Sequence, residues 1–351
     1  MKPLVIGDLV AKIPIIQGGM GVGVSACNLA GAVALEGGIG VISAAQLGYL
    51  EDDYDENAER ANLRAIGKHI KKAKEIAKGG IVGINIMVAT RNYAEYVKAA
   101  VEAKVDLIIS GAGLPMDLPS LVKGSTTKIA PIVSSIKAAN VILKMWDKKE
   151  QRVPDAVVIE GPLAGGHLGF KYDELEHIEE LNYDNEVIGI MDAVKQYEEK
   201  YQKHIPVILA GGVATKEDVK RCFDLGADGV QVASRFVATK ECDADIRFKE
   251  AYVNAKKEDI VIVKSPVGMP GRAIKNSFME RVMGGERVPT KHCRACVTPC
   301  KPATTPYCIS DALIHAVKGN LEEALIFCGG KIDQIKEITT VKQVMEELMG
   351  E

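Results

Sequence analysis

The stretch IPIIQGGMGVGVSACNLAGAVALEGGIGVIS, residues 13–43, joins a short apolar run, a glycine-rich loop, a helix-like run and a second apolar run. Residues 21–26 match the loose dinucleotide fingerprint G-x-G-x-x-G/A. A Rossmann site also needs an acidic residue at the end of the second strand, to hold the ribose hydroxyls. Residues 39–45 end without a carboxylate, which disfavours a dinucleotide site. Two interpretations remain for the loop: it brings backbone close to a planar ring, or it is a tight turn.

The alternation of a short apolar run with an amphipathic run continues along the chain. Strands are predicted at residues 13–17, 39–42, 81–85, 107–110, 128–133, 156–159, 205–210 and 229–232. Helices are predicted at residues 25–35, 63–78, 93–103, 115–123, 137–146, 187–201 and 215–225. The strands are continuous apolar runs, as is typical of parallel strands covered on both faces.

Eight such units favour an α/β fold of the (β/α)8 TIM-barrel type over a doubly wound sheet, which usually has about six strands. We expect the barrel to occupy residues 1–245. Residues 246–351 are predicted to form a C-terminal appendage of helices and loops, with a cysteine-containing segment packed on the barrel.

Glycines follow the first, seventh and eighth predicted strands. Gly18 and Gly19, with Met20, would let backbone approach a ring. Gly211–Gly212 and Ala233–Ser234 follow strands seven and eight, where barrels often bind phosphate through backbone amides. Ordinary glycine turns are the alternative interpretation.

A histidine lies between two glycine-containing pairs after the sixth strand, in AGGHLG. His167 lacks bulky neighbours that would bury it in a core, and imidazole suits proton transfer near neutral pH. We interpret it as a catalytic or ligand residue, with a structural histidine as the alternative. Asn85 and Lys137, near the ends of strands three and five, are weaker candidates for hydrogen bonds to a ring system.

Four cysteines lie within a short segment near residue 300. Cys293, Cys296, Cys300 and Cys308 have the spacing C-x2-C-x3-C-x7-C, which supplies enough soft ligands for zinc or an iron–sulfur cluster. The spacing is standard for neither site, so redox-active thiols and inert buried cysteines stay open as alternatives.

The composition is that of a globular enzyme, with 47% hydrophobic and 26% charged residues in a chain of 351. The net charge of −3 and the scattered Lys and Arg argue against a nucleic-acid partner. The chain begins without a basic region and a long apolar run, and it contains no apolar run of about 18 residues. We therefore expect a cytoplasmic protein with no membrane partner.

Six motifs, in this order, resemble the nitronate monooxygenase family, formerly called 2-nitropropane dioxygenases. They are PIIQGGMG, GINIMV, ISGAGLP, EGPLAGGHLG, ILAGGVAT and GADGVQVASRF, and the similarity covers about residues 10–280. The flavin-dependent enoyl-acyl-carrier-protein reductases of type II share this fold and these motifs.

The resemblance implies a TIM barrel that binds FMN. By position, the ring would lie beside Gly18, Gly19 and Met20. Asn85, Lys137 and Gly166 would contact the flavin, and His167 matches the family's active-site histidine. The phosphate would be held by Gly211, Gly212, Ala233 and Ser234.

The implied activity is the FMN-dependent oxidation of alkyl nitronates by oxygen, which yields a carbonyl compound and nitrite. His167 would act as the base for neutral nitroalkanes, or as a cation or hydrogen-bond donor to the nitro group. The alternative is an enoyl-thioester reductase that uses NAD(P)H, for which acyl carrier protein would be a partner. A homodimer is also predicted.

Overall fold

The computed structural model describes residues 1–290 and 292–350. Its strands are β1 (Leu4–Ile6), β2 (Leu9–Ala11), β3 (Ile15–Gln17), β4 (Ile39–Ser43), β5 (Ile81–Asn85), β6 (Leu107–Ser110), β7 (Lys128–Val133), β8 (Val157–Glu160), β9 (Gly166–His167), β10 (Val207–Ala210), β11 (Gly229–Val232), β12 (Ile260–Lys264) and β13 (Pro270–Ile274). Its helices are α1 (Cys27–Leu35), α2 (Ala58–Ala77), α3 (Tyr93–Glu102), α4 (Leu118–Leu121), α5 (Ile136–Glu150), α6 (Tyr172–Glu176), α7 (Tyr183–Tyr201), α8 (Lys216–Asp224), α9 (Ser234–Val237), α10 (Ile246–Asn254), α11 (Ser277–Met283), α12 (Ile309–Val317) and α13 (Val341–Met349).

Eight parallel strands close into a barrel. Their order around it is β3, β4, β5, β6, β7, β8, β10 and β11, and β11 pairs with β3 to complete the ring. The (β/α)8 fold predicted from the alternating runs is confirmed. The predicted bounds of β5, β6, β7 and β11 agree with the structure to the residue.

Two apolar layers hold the barrel together. Ile16, Val41 and Ile208 belong to the cluster inside the barrel, while residues such as Ile42 and Ile84 belong to the layer between strands and helices. The approach of α1 to β4 is so close that a Cβ on Gly40 would lie 1.7 Å from the carbonyl oxygen of Ala30. Only glycine fits this contact.

An antiparallel hairpin of β1 and β2 precedes the barrel, and the sequence reasoning missed it. Leu4 and Ile6 are fully buried in the interior cluster. Leu4 also lies against Gly229, the first residue of β11. The hairpin therefore covers the amino ends of the strands and leaves the carboxyl ends open.

Residues 246–350, here called the C-terminal segment, contain more than the predicted helices and loops. β12 and β13 form an antiparallel sheet that also takes up β9 from the loop after β8. Val341, Val344 and Leu348 of α13 are buried in the same apolar layer as the barrel helices. The boundary between residues 245 and 246 stays a prediction.

No helix in the described part of the chain is both long and apolar enough to cross a membrane.

Candidate active site

A cavity of about 260 Å³ opens at the carboxyl ends of the barrel strands. Its lining includes ten of the residues predicted from the sequence: Gly18, Gly19, Met20, Asn85, Gly166, His167, Gly211, Gly212, Ala233 and Ser234. Residues from all eight strand ends contribute, and we call this side of the cavity the barrel wall.

Among the residues predicted for flavin binding and catalysis, Lys137 is the one that does not line this cavity. Ser135 caps α5 by accepting a hydrogen bond from the amide of Ala138, so the helix begins at Ile136. Lys137 is then the second helical residue and is exposed. Its position gives no support to the predicted contact with a flavin.

The floor of the cavity is formed by backbone with few side chains. A Cβ on Gly19 would lie 2.5 Å from the Cβ of Asn85, and one on Gly18 would lie 3.3 Å from Gln231. The amide of Met20 donates a hydrogen bond to Ser25 Oγ at 2.7 Å, which fixes the loop. This bare surface leaves room for a flat group.

Four amide N–H groups after β10 and β11 are candidates for binding an anion. Within residues 1–290 and 292–350, the amides of Gly211, Gly212, Ala233 and Ser234 have no hydrogen-bond acceptor. All four residues line the cavity. Unpaired amides are costly to bury and are suited to phosphate oxygens.

A second glycine loop, from the C-terminal segment, reaches the same end. Gly329 donates its amide to Ser234 Oγ at 3.0 Å, and Gly330 donates to the carbonyl of Leu163 at 3.0 Å. Lys331 follows them in the lining and forms an ion pair with Asp218. The sequence reasoning missed this loop, although the pair Gly329–Gly330 before a lysine is a visible signal.

His167 lies in β9 and is held by the C-terminal segment. Its Nε2 is 2.7 Å from Ser265 Oγ, and its ring meets the ring of Phe327 edge-on with centroids 5.0 Å apart. Burial lowers the pKa of His167 to about 4. The imidazole is therefore neutral near pH 7, so it can accept a proton or donate a hydrogen bond but does not present a cation.

Glu160, at the carboxyl end of β8, is an additional candidate that the sequence reasoning did not single out. It lines the cavity, and burial raises the pKa of its carboxyl group to about 8. In the described part of the chain, no side chain forms an ion pair or hydrogen bond with this carboxyl group. The group is therefore neutral near pH 7 and is able to donate a hydrogen bond.

The C-terminal segment forms the other side of the cavity, which we call the segment wall. Its apolar members include Val267, Val297, Ile309, Leu313, Ala316, Leu325 and Phe327. The wall is tied to the loops after β4 and β5. Arg294 forms ion pairs with Asp55 and Asp311 and lies over the ring of Tyr54 at 5.0 Å.

The four cysteines predicted as metal ligands are free thiols. Cys296 lines the cavity, while Cys293 is exposed. Across residues 1–290 and 292–350, no group of three or more His, Cys, Asp or Glu side chains is arranged to hold a metal ion. The zinc and iron–sulfur hypotheses for Cys293, Cys296, Cys300 and Cys308 thus have no support from the geometry.

Comparison with known proteins agrees with this geometry. The family model described as nitronate monooxygenase matches residues 2–351. The chain is 26% identical over 292 residues to a probable nitronate monooxygenase of Staphylococcus aureus (strain Newman), with 77% of this chain and 78% of the relative covered.

Two solved structures are similar over nearly the whole chain. FabK from Thermotoga maritima is 27% identical with a TM-score of 0.74, over 97% of this chain and 93% of that one. A nitroalkane oxidase from Streptomyces ansochromogenes is 19% identical with a TM-score of 0.71, over 97% and 95%, and shows the shared fold. The match of the family model across the chain shows that this protein is a flavin-dependent oxidoreductase belonging to the nitronate monooxygenase family.

Proposed function

We propose that this enzyme binds FMN and oxidises alkyl nitronates with oxygen to a carbonyl compound and nitrite. The observation that carries the proposal is one cavity that joins an anion site, a bare floor and a neutral histidine. The substrate is a small molecule, as the family membership indicates.

FMN fits the residues that line the cavity. The four unpaired amides of Gly211, Gly212, Ala233 and Ser234 suit its phosphate, because they offer donors without a protein acceptor. The floor at Gly18 and Gly19 suits a planar ring. When bound, FMN supplies the redox chemistry, and the protein supplies orientation, water exclusion and proton transfer.

The two walls of the cavity have different roles toward the substrate. The apolar side chains of the segment wall favour the alkyl part of a substrate and exclude water. His167, neutral near pH 7, takes the proton from a neutral nitroalkane or donates a hydrogen bond to a nitro group. The neutral carboxyl of Glu160 offers a second hydrogen-bond donor without adding a negative charge beside an anionic substrate.

A second candidate function is enoyl-thioester reduction with NAD(P)H as the hydride source. The similarity to FabK, at 27% identity and a TM-score of 0.74, and the apolar segment wall both favour it. Acyl carrier protein would then be a partner. That partner, a homodimer and a cytoplasmic location stay predictions.

Anaerobic mixing of the purified flavoprotein separates the two functions. We expect an alkyl nitronate to bleach the visible flavin band within seconds, and NADH or NADPH to leave it unchanged over minutes. Admission of oxygen then releases nitrite, which is measured colorimetrically. Bleaching by NAD(P)H, followed by reoxidation with an enoyl thioester, would favour the reductase and contradict the main proposal.

The His167→Gln variant tests the histidine in the same assay. Gln keeps a hydrogen-bond donor but has no basic nitrogen. We expect the variant to turn over a preformed nitronate and to lose turnover of the neutral nitroalkane. Equal turnover of both substrates by the variant and the wild type would contradict the role of His167.

A further inference from the structure

Ser265 lies in the turn that joins β12 to β13, far along the chain from His167. The turn is closed by a hydrogen bond from the amide of Gly268 to the carbonyl of Ser265 at 2.9 Å. A second bond runs from the amide of Ser265 to the carbonyl of Met269 at 3.2 Å. Ser265 is buried, with 8% of its surface exposed. The turn thus holds its hydroxyl in a fixed place.

The hydroxyl has two partners. The amide of Val267 donates to Ser265 Oγ at 3.3 Å, and His167 Nε2 lies 2.7 Å from the same oxygen. A serine hydroxyl donates one hydrogen bond and accepts two. It can therefore keep the bond from Val267 while it either donates to Nε2 or accepts from it.

Other contacts fix the remaining freedom of the imidazole. The backbone of His167 pairs with Gly271 of β13, and its ring meets Phe327 edge-on. Arg272, buried in the same strand, donates to the carbonyl of Ala164 and so holds the loop that leads to β9. In the described residues, Nδ1 of His167 has no hydrogen-bond partner.

We propose that Ser265 is a positioning residue for His167, and that its hydrogen bond to Nε2 makes Nδ1 the nitrogen that exchanges a proton with the substrate. This inference rests on the proposed function. It assigns the proton-exchanging atom of His167 and the residue that selects it.

The proton transfer can be written atom by atom. The Nε2–H donates to Ser265 Oγ, so Nδ1 carries the free lone pair. Nδ1 takes the α-proton of a neutral nitroalkane, the C–H bond breaks, and its electron pair moves onto the nitro group to give the nitronate. The resulting imidazolium keeps its Nε2–H bond to Ser265 until Nδ1 returns the proton to solvent.

The titratable groups on the surrounding elements include Arg272 of β13, Lys264 of β12, Tyr252 and Cys328 beside Phe327, and Glu160 at the cavity wall. Burial alone accounts for the lowered pKa of His167. Ser265 therefore acts by orientation: it occupies Nε2, leaves Nδ1 for the substrate and brings no charge to the site.

The Ser265→Ala variant tests the inference in the flavin-loaded enzyme. We expect kcat/KM for a neutral nitroalkane to fall at least tenfold, kcat/KM for its preformed nitronate to change less than threefold, and the Kd for FMN to stay within twofold. Ser265→Thr keeps the hydroxyl and should restore nitroalkane turnover. Ser125→Ala, remote from the cavity, is the matched control.

A second measurement does not depend on turnover. In protein labelled with ¹⁵N-histidine, the His167 ring signals are assigned by their loss in His167→Gln. We expect Ser265→Ala to change the ¹⁵N shifts of His167 Nε2 and Nδ1, because Nε2 loses its hydrogen-bond partner, and Ser125→Ala to leave them unchanged.

The inference would be overturned if Ser265→Ala lowered kcat/KM equally for the nitroalkane and the nitronate, or lowered it for neither. Unchanged ¹⁵N shifts in Ser265→Ala would also overturn it. If Ser265→Ala does not fold, Ser265→Cys carries the same expectation, because a thiol sulfur is a weak hydrogen-bond acceptor for Nε2–H. A wild-type enzyme that oxidises neither substrate would instead overturn the proposed function, and the ¹⁵N shifts would still test the hydrogen bond.

Discussion

The barrel wall and the segment wall face the same cavity but are built in different ways. The barrel wall consists of strand ends whose backbone is exposed by glycine, as at Gly19 and Gly211. The segment wall consists of side chains such as Val297, Leu313 and Phe327, carried by a chain that returns to the barrel after residue 245. The first wall presents backbone donors and bare surface, and the second presents apolar bulk and thiols.

This difference suggests a division of labour. Strand ends in a closed barrel are held by the hydrogen-bond register of the ring, so they suit a cofactor that must not move. The segment wall lies outside this ring and is joined to it by contacts such as those of Arg294, so it can vary with the substrate while the cofactor site stays the same. The predictions below test whether the walls act separately.

The largest effect is expected from Glu160→Gln in the flavin-free protein. The folded-state pKa of Glu160 is raised to about 8, so native Glu160 stays protonated while the unfolded chain ionises. Its contribution to the free energy of unfolding is fully present below the pKa that the glutamate has in the unfolded chain. This contribution is lost as pH rises towards 8, by up to roughly 4 kcal/mol. Urea unfolding should show that the free energy of unfolding of the wild type falls between pH 5 and pH 8, and that this fall is absent from the variant.

Glu176→Gln, at an exposed position, is the control and should keep the pH dependence of the wild type. If the free energy of unfolding of Glu160→Gln fell between pH 5 and pH 8 as much as that of the wild type, the barrel wall would not hold a neutral carboxyl group.

The next effect is expected from Gly211→Ala. Gly211 has a φ of +90°, and a Cβ there would lie 2.8 Å from the carbonyl oxygen of Gly161. The loop must shift, which displaces the amides proposed to hold phosphate. We expect the Kd for FMN, measured by fluorescence quenching, to rise about a hundredfold, which corresponds to roughly 3 kcal/mol.

Gly124→Ala provides the matched control, because Gly124 has a φ of +82° and nothing lies within 4 Å of its added Cβ. It should lose some stability but bind FMN as the wild type does. Tight FMN binding by Gly211→Ala would place the phosphate elsewhere.

A smaller effect is expected from Arg294→Met, which acts on the segment wall. The change removes the ion pairs with Asp55 and Asp311 and the charge over Tyr54. We expect the labelling of Cys296 and Cys308 by a thiol reagent to become about tenfold faster, since local opening would cost roughly 1.4 kcal/mol less. The Kd for FMN should stay within twofold.

Arg281→Met, at a partly exposed ion pair with Glu286, is the control for labelling. If Arg294→Met weakened FMN binding as much as Gly211→Ala, the two walls would not act separately.

The smallest effect is expected where the walls meet, at Lys331. Its ion pair with Asp218 is partly exposed, and such pairs contribute less than about 1 kcal/mol. We expect Lys331→Gln to raise the Kd for FMN about threefold at low salt and to have no effect at high salt, as measured by a titration at two ionic strengths. If Lys331→Gln still weakened FMN binding at high salt, Lys331 would contact the phosphate directly.

Residues of the barrel wall could be predicted from the sequence because they belong to local sequence patterns. Gly211–Gly212 and His167 each follow an apolar run, and the strand pattern alone places them at one end of the barrel. Lys137 lies outside the cavity lining because Ser135 starts α5 immediately after β7, so the lysine is already an exposed helical residue. An N-cap serine before an amphipathic run is a signal that could have shown this.

The contacts of the segment wall could not be predicted from local sequence patterns. Ser265 reaches His167 from 98 residues along the chain, and no spacing in the sequence predicts such a contact. The run Ile260–Lys264 is apolar and β-branched enough to predict β12, but its partner β9 has two residues and no pattern of its own. Long-range pairing of this kind is set by tertiary packing.

The four unpaired amides that we propose to hold the FMN phosphate have a consequence for the stability of this protein. A ligand that binds only the folded chain stabilises it by about 4 kcal/mol when its concentration is a thousand times its Kd. Without FMN, the loops of Gly211 and Ser234 keep donors that the protein itself does not satisfy. FMN held there would then protect the folded chain against proteolysis as well as serve as the cofactor.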